Sequence, residues 1–298
     1  MAFNSDPDST YQKDLNAFTH LTEEEFISTR CGAKLPDSAD NQTDITPDDA
    51  RIAYPFGNYT SDDAPSYTDF SSLMQPIQNQ LSCGACWAFT VMAQLDKQHA
   101  FNGTLIPLQG LLKIKDSSYS TVLAPQFLLD CNLAQSGCVG GWPTSALSWL
   151  KTAFGGNNKA PPQLLYPYRA GVKTCRKTLS TVNLGITQVR EIFFGGDEDA
   201  MKAQIANNGP TIAAIYVTSN LQSYASGVFY DAKCPSGNTC TLFNHAVVIV
   251  GYGTDQTLGD YWLVKNSWGP DWGEDGYIRM ARNKSNNCNI ACYAMFAQ

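Results

Sequence analysis

From Cys86 to Phe101 the sequence CWAFTVMAQLDKQHAF is apolar around most of its circumference until Asp96, which predicts a helix buried in the middle of a domain. A second helix is predicted from Pro143 to Phe154, with Pro in its first turn and Gly155-Gly156 as its stop. The cysteine-bearing stretch between them reads as loop. A third helix is predicted over Asp197–Ala206, closed by Asn207, Asn208 and Gly209. After about residue 185 β-branched and aromatic runs take over, at Thr211–Val217, His245–Val250, Tyr261–Lys265 and Tyr277–Arg282, separated by Gly and Asp turns. The pattern predicts an α-rich half packed against a β-rich half, an antiparallel sheet or barrel, with a cleft between the two.

Residues 1 to about 64 read differently, being polar, Asp-rich and dotted with Pro and Gly between Cys31 and Ala64. They predict an arm, not a core. Within it, Thr22 followed three residues later by Glu25 is a capping-box signal ahead of Phe26 and Ile27, and predicts one short helix inside Asp14–Arg30.

Composition narrows the class. At 298 residues and 43% apolar content the chain can bury one large core or two modest ones, which excludes disordered and fibrous classes. A net charge of −7 argues against nucleic acid as a partner. No apolar run is long enough to span a bilayer, so no membrane association is expected, and MAFNSDPDST has no secretory signal pattern. Ten cysteines and four sequons, at Asn41, Asn58, Asn102 and Asn283, nevertheless suit an oxidising, glycosylating compartment, reconciled if a signal peptide is missing from this chain.

The sharpest local signal is Cys83-Gly84-Ala85-Cys86-Trp87, preceded by Gln80. A thiol in the first turn of a helix faces unpaired N–H groups and the positive end of the dipole, so Cys86 is expected to have a lowered pKa and to act as nucleophile. Of three histidines, His245 opens the apolar run HAVVIVGYG and is the candidate base, while His20 and His99 read as solvent-exposed. Asn266, 21 residues on in KNSWG, can accept from the ring N–H and set the tautomer, and Trp268 would shield that bond. Gln80 can point its NH2 at a developing oxyanion beside the Cys86 N–H.

Four separated motifs, QNQLSCGACWAF (78–89), CVGGWP (138–143), NHAVVIVGYG (244–253) and YWLVKNSWGPDWGEDGYIRM (261–280), together resemble the papain family of cysteine peptidases, cathepsin L-like in layout, over about residues 65 to 298. The resemblance implies an α+β fold with a mainly helical left domain (65–190) and a mainly β right domain (191–298), a β-barrel. Cys86 and His245 would face each other across the cleft as a thiolate–imidazolium pair. It implies an endopeptidase acting through a thioester, without cofactor or metal. The arm resembles a truncated inhibitory prosegment (1–64): LNAFTHLTEEEF is similar to the end of that region, with His20 where the family usually carries Asp. A cut between about Arg51 and Tyr67 is expected to release it.

By position in the matching motifs, Gly140 and Gly141 would hold the substrate backbone. Trp142, Pro143, Ala214, Phe243, Ala246 and Tyr293 would line the pocket for the side chain two residues before the cut, with Trp268 also bordering the cleft. That lining is apolar and shows no acid, so Leu or Val is the expected preference. The family's disulfides imply Cys83–Cys138, Cys131–Cys175 and Cys234–Cys288. Cys240–Cys292 is the simplest completion, leaving Cys86 free and Cys31 odd. Two departures stand out. His245 and Asn266 lie 159 and 180 residues after Cys86, with the surplus length expected in Asn102–Thr121, and Leu81 and Phe70 replace a usual Gly and Trp. The implied partners are peptide or protein substrates, the chain's own prosegment and cystatin-like inhibitors, for a monomer that is lysosomal, vacuolar or secreted. The rival classes are a thioredoxin-like Cys83-x-x-Cys86 site, a zinc site, and a papain fold kept for an interaction or structural role without activity. The first lacks its βαβ context, the second lacks a further pair of ligands, and the third must explain four intact catalytic positions.

Overall fold

The computed structural model describes residues 4, 9–35, 59–101, 122–156, 158–238 and 240–298. The sequons at Asn41, Asn58 and Asn102, the surplus segment 102–121 and the 51–58 part of the expected cut window lie outside the described residues. The arm contributes β1 (Tyr11–Lys13) and α1 (Glu23–Arg30), followed by β2 (Thr68–Asp69), α2 (Cys86–Phe101), α3 (Pro125–Cys131), α4 (Pro143–Gly156), β3 (Lys159–Ala160) and β4 (Val182–Asn183). The rest runs β5 (Val189–Phe193), α5 (Glu198–Asn208), β6 (Thr211–Ile215), α6 (Ser219–Gln222), β7 (Tyr224–Phe229), β8 (His245–Asp255), β9 (Gly259–Lys265), β10 (Tyr277–Ala281) and β11 (Tyr293–Ala297). Helices and strands combine in an α+β fold.

Alternation along the central strands organises the interior. Ala246, Val248 and Val250 of β8, with Ile212 and Ala214 of β6, join α2, α3 and α4 in one core. Val247 and Ile249, with Ala213 and Ile215, enter a second core with Met201 and Ile205 of α5, Trp262 and Ile278. One sheet thereby serves two cores, because successive strand side chains point to opposite faces. Its order is β1-β7-β10-β9-β8-β6-β11-β5, with β2 added on β8. The boundary expected at 190 falls inside β5, whose five residues pair with β11 from Val189↔Ala297 to Phe193↔Tyr293.

From Cys86 to Asp96 helix α2 is buried on nearly every side, and polar residues in that stretch are matched accordingly: Gln94 Nε2 donates to Ala297 O at 3.2 Å, and Asp96 accepts from Leu123 N at 3.1 Å. The expected loop between the first two helices contains α3, which a seven-residue PQFLLDC is too short to announce by period; burial of Phe127, Leu128 and Leu129 holds it.

The arm departs most from expectation. Its helix carries the predicted capping box, Glu25 N donating to Thr22 Oγ1 at 3.2 Å and Thr22 N to Glu25 Oε2 at 2.9 Å. Yet it is no mere polar strap, because Tyr11, Phe18, Phe26 and Cys31 are buried in the second core and β1 extends the sheet beside β7. A few well-spaced aromatics in polar text give little periodicity but bury fully once a partner surface exists.

Candidate active site

Cys86 is the first residue of α2, and the loop before it is fixed from both sides. Gln80 N donates to Ser267 O at 2.9 Å, the Cys83–Cys138 bridge ties the loop to the glycine segment, and Gly84 N donates to Cys138 O at 3.0 Å. The other bridges are Cys131–Cys175, Cys234–Cys288 and Cys240–Cys292. His245 opens β8, and the pairing of β8 with β9 carries Asn266, just past the end of β9, beside it. Nε2 of His245 lies 2.9 Å from Asn266 Oδ1. An amide oxygen only accepts, so this contact assigns the proton to Nε2 and leaves Nδ1 as the basic nitrogen. Nδ1 has no hydrogen-bond partner among the described residues, while the N–H of the next residue, Ala246, lies near enough to the Cys86 sulfur to favour its anion. Trp268 covers the imidazole, ring centroids 4.7 Å apart.

Gln80 is fully buried and held by its own bonds: Oε1 accepts from Ser267 Oγ at 2.6 Å, and the backbone carbonyl accepts from Tyr168 Oη at 2.6 Å. Its Nε2 donates to Cys83 O at 2.8 Å and to Arg30 O of the arm at 3.0 Å, so the amide expected to bind an oxyanion already grips a peptide carbonyl. Leu81 has φ 52° and a half-exposed side chain, turned out beside this site.

The arm lies across the site. Gly141 N donates to Gly32 O at 2.9 Å, Lys34 N to Gly141 O at 3.1 Å, and Ala33 N to Asn244 O at 3.0 Å, a parallel bridge between Ala33 and Gly141. The approach needs bare backbone: a Cβ on Gly141 would stand 2.7 Å from the Trp87 ring, and one on Gly140 2.7 Å from Gly32 O. Burial beneath the arm overrides the helix N-terminus, so the Cys86 thiol is pushed up to about 11 despite donated N–H groups, and His245 is pushed down to about 4 with Asn266 only partly opposing. The lowered thiol pKa expected from position alone therefore does not hold in the covered state. Both groups are neutral there.

Around the pocket, Trp142, Phe243 and Tyr293 form a triangle of ring centroids 5.6 to 6.4 Å apart. Ala214 and Ala246 are register partners beneath it, and Pro143 starts α4 directly after Trp142. The arm's buried Ala33 packs into the same core. The expectation of no acid needs correction: Glu191 of β5 accepts from Trp142 Nε1 at 2.8 Å and from Thr144 Oγ1, and its charge reaches Tyr293. Glu191 belongs to none of the four motifs, and only the β5–β11 pairing, which sets it opposite Met295, brings it here. His20 is exposed, and the His99 side chain lies outside the described residues.

Residues 64–298 match the sequence model of the family described as papain family cysteine protease. The chain is 33% identical over 290 residues to digestive cysteine proteinase 3 of Homarus americanus, covering 95% of this chain and 78% of that protein. It is 32% identical to fruit bromelain of Ananas comosus, covering 98% and 74%. Among solved structures it is similar to digestive procathepsin L 3 of the Tenebrio molitor larval midgut, with a TM-score of 0.75 and 29% identity over 99% of this chain and 85% of that one. The proform of the ragweed pollen cysteine protease Amb a 11 gives a TM-score of 0.77 at 26% identity, over 99% and 84%.

Proposed function

Because the chain belongs to the papain family of cysteine proteases, we propose that it cleaves internal peptide bonds with Cys86 as nucleophile, His245 as acid and base, Asn266 as the group that orients the imidazole, and Gln80 as an oxyanion donor. The observation that carries this reading is the arm itself. The cleft holds an extended peptide by backbone bonds at Gly141, with a carbonyl on Gln80 Nε2, directly over Cys86.

With the cleft open to water, the desolvation that keeps both groups neutral is relieved, and the thiol proton passes to Nδ1 of His245. The thiolate adds to the scissile carbonyl carbon, and the oxyanion takes N–H donation from Gln80 Nε2 and the Cys86 backbone. His245 returns the proton to the departing amine, leaving a thioester. A water then gives its proton to His245, attacks the thioester carbon and releases the acid product, restoring the thiol. In the covered state the Gly32 N–H is among the groups near the Cys86 sulfur, and the thiol is held neutral by burial, so the arm occupies the site without meeting a thiolate.

The arm up to about residue 64 thus serves as an inhibitory prosegment, docked against the mainly helical part to about 190 and the mainly β remainder. Its exit is accessible: Tyr59 is tied to Asn207 by bonds of 2.7 and 2.8 Å, and Thr60–Asp63 that follow are exposed. Such a segment suits proteolytic release. The triangle of Trp142, Phe243 and Tyr293 favours an aliphatic side chain two residues before the cut. Four disulfides suit a lysosomal, vacuolar or secreted setting, where cystatin-like inhibitors would compete for the cleft. The test is peptide hydrolysis by arm-cleaved, reduced enzyme. Cys86→Ala and His245→Ala should each abolish it while leaving the fold intact, and retained activity in the Cys86 variant would end the reading.

A further inference from the structure

Eight of the ten cysteines are bridged, and the two that are not, Cys31 of the arm and Cys86, are both buried. Their chain segments meet in the cleft although the two lie 55 positions apart in sequence. The backbone on either side of Cys31 is pinned around Cys86. Arg30 O accepts from Gln80 Nε2 at 3.0 Å and from Trp268 Nε1 at 3.2 Å, Gly32 O accepts from Gly141 N at 2.9 Å, and Ala33 N donates to Asn244 O at 3.0 Å.

The Cys31–Gly32 peptide rests on Gly84, two residues before Cys86, more closely than side chains would permit. A Cβ on Gly84 would stand 2.7 Å from Cys31 O, and one on Gly32 would stand 1.9 Å from Gly84 O. The Gly32 N–H lies near enough to the Cys86 sulfur to favour its anion. That amide nitrogen is about 2.4 Å from the Cys31 Cα through the covalent chain. The Cys31–Gly32 peptide therefore rests against the loop that leads into Cys86, where rotation of the two side chains and a shift of the arm can bring the sulfurs to disulfide geometry. Each thiol is also near enough for a negative charge on Cys86 to raise the Cys31 pKa, a second effect after burial.

We propose that Cys31 is a covalent partner of Cys86, and that a Cys31–Cys86 disulfide stores the chain as a redox-locked proenzyme. The oxidant is a low-molecular-weight disulfide of the glutathione class, RSSR. Cys86 loses its proton and its thiolate attacks one sulfur of RSSR, expelling RS⁻ and forming Cys86–S–SR. Cys31 loses its proton and its thiolate attacks the Cys86 sulfur, expelling the second RS⁻. The sum is RSSR plus two protein thiols going to one protein disulfide plus two RSH, two electrons passing from the protein to the reagent. The exchange takes place while the arm is lifted from the cleft, because the covered Cys86 thiol, pushed up to about 11, supplies almost no thiolate.

One consequence separates this device from simple occupancy. Cys31 lies on the N-terminal side of the exposed Thr60–Asp63 exit, so clipping the chain there leaves the arm tethered to the nucleophile. Activation then needs a reductant as well as a cut. The ordinary alternative is that Cys31 is a small buried apolar residue with no chemistry.

The inference uses the proposed nucleophile, but its test reads a covalent bond and not hydrolysis, so the two can fail separately. The full chain is incubated with oxidised glutathione at neutral pH, alkylated in denaturant, digested without reductant and mapped by mass spectrometry. The expected product is a cross-linked peptide pair joining Cys31 to Cys86, two hydrogens lighter than the reduced peptides. In Cys31→Ser, Cys86 should carry one glutathione instead. Parent chain with glutathione on Cys86 and Cys31 alkylated, or with both cysteines alkylated, would overturn the proposal. A second measurement needs no variant: after clipping at the exit, the arm should co-migrate with the enzyme on a denaturing gel until dithiothreitol is added. Release of the oxidised parent's arm without reductant would count against the lock.

Discussion

Phe26→Ala tests what holds the arm down. Phe26 is fully buried, meets Trp268 edge-on at 4.9 Å between ring centroids and touches Phe18 at 5.5 Å, whereas the backbone bonds at Gly141 and Gln80 replace bonds to water. Truncating a buried Phe costs about 3–5 kcal/mol, and the aromatic pair itself is worth about 0.5–1.5 kcal/mol of that. Some of the loss is recovered as Trp268 relaxes into the space, so about 3–4 kcal/mol of docking free energy should go. At about 1.4 kcal/mol per decade, the arm-free population rises roughly 10²- to 10³-fold. The assay is the rate at which a thiol-reactive epoxide labels Cys86 in the full chain at neutral pH with dithiothreitol present, since only the uncovered thiol reacts. Labelling should accelerate by that factor, with the final extent unchanged. Leu15→Ala, at a side chain 77% exposed on the same arm, should alter the rate less than about threefold. If Phe26→Ala labels within about threefold of the parent, the arm is held by its backbone bonds and not by the aromatic plug.

Gln80→Ala in the processed enzyme should raise the acylation barrier by about 2–4 kcal/mol, read as a roughly 30- to 10³-fold fall in kcat/KM; a loss under tenfold would exclude Gln80 as an oxyanion donor. Covering His245 lowers its pKa from 6.5 to about 4, so the covered form binds fewer protons than the uncovered one between these values. Docking contributed by this group is therefore complete above pH 6.5 and lost as pH falls toward 4, by about 3 kcal/mol in all. Epoxide labelling of the full chain, normalised to the processed enzyme's own pH profile, should rise about tenfold per unit below 6.5, and a flat profile would refute the sign. Substrate-library profiling should rank Leu and Val above Phe and Arg two residues before the cut. Glu191→Gln should leave that ranking unchanged, because the carboxylate is already engaged by Trp142 and Thr144; an Arg preference abolished by that substitution would show the acid to be open to substrate.

What could be foreseen was whatever local sequence encodes by itself. Helix α2 was legible because its apolar residues run continuously from Cys86, α5 because Asp197 and Gly209 mark its ends, and the capping box of α1 because Thr22 and Glu25 carry both halves of it. Strands β6, β8, β9 and β10 announced themselves by β-branched and aromatic runs, and Cys86, His245, Asn266 and Gln80 stood out as candidates because chemistry restricts which residue types can fill the proposed roles. Short elements such as α3, β1 and β11 were missed, since a few residues hold no period and form only when something packs on them.

The features that tertiary structure alone decided all involve surfaces brought together from a distance. Glu191 reaches Trp142 through strand pairing, the arm becomes part of a core because Trp268 supplies the face that Phe18 and Phe26 cover, and the Cys31–Gly32 peptide meets Gly84 across a closed cleft. Protonation of the catalytic pair belongs with them. Position at a helix start favours a thiolate, but a pKa is a difference in solvation, and the solvent around Cys86 and His245 is removed by a segment more than fifty residues upstream of the nucleophile. Sequence by itself therefore named the groups proposed to do the chemistry, and the packing of the arm over the cleft determined that in this form they stand neutral and closed.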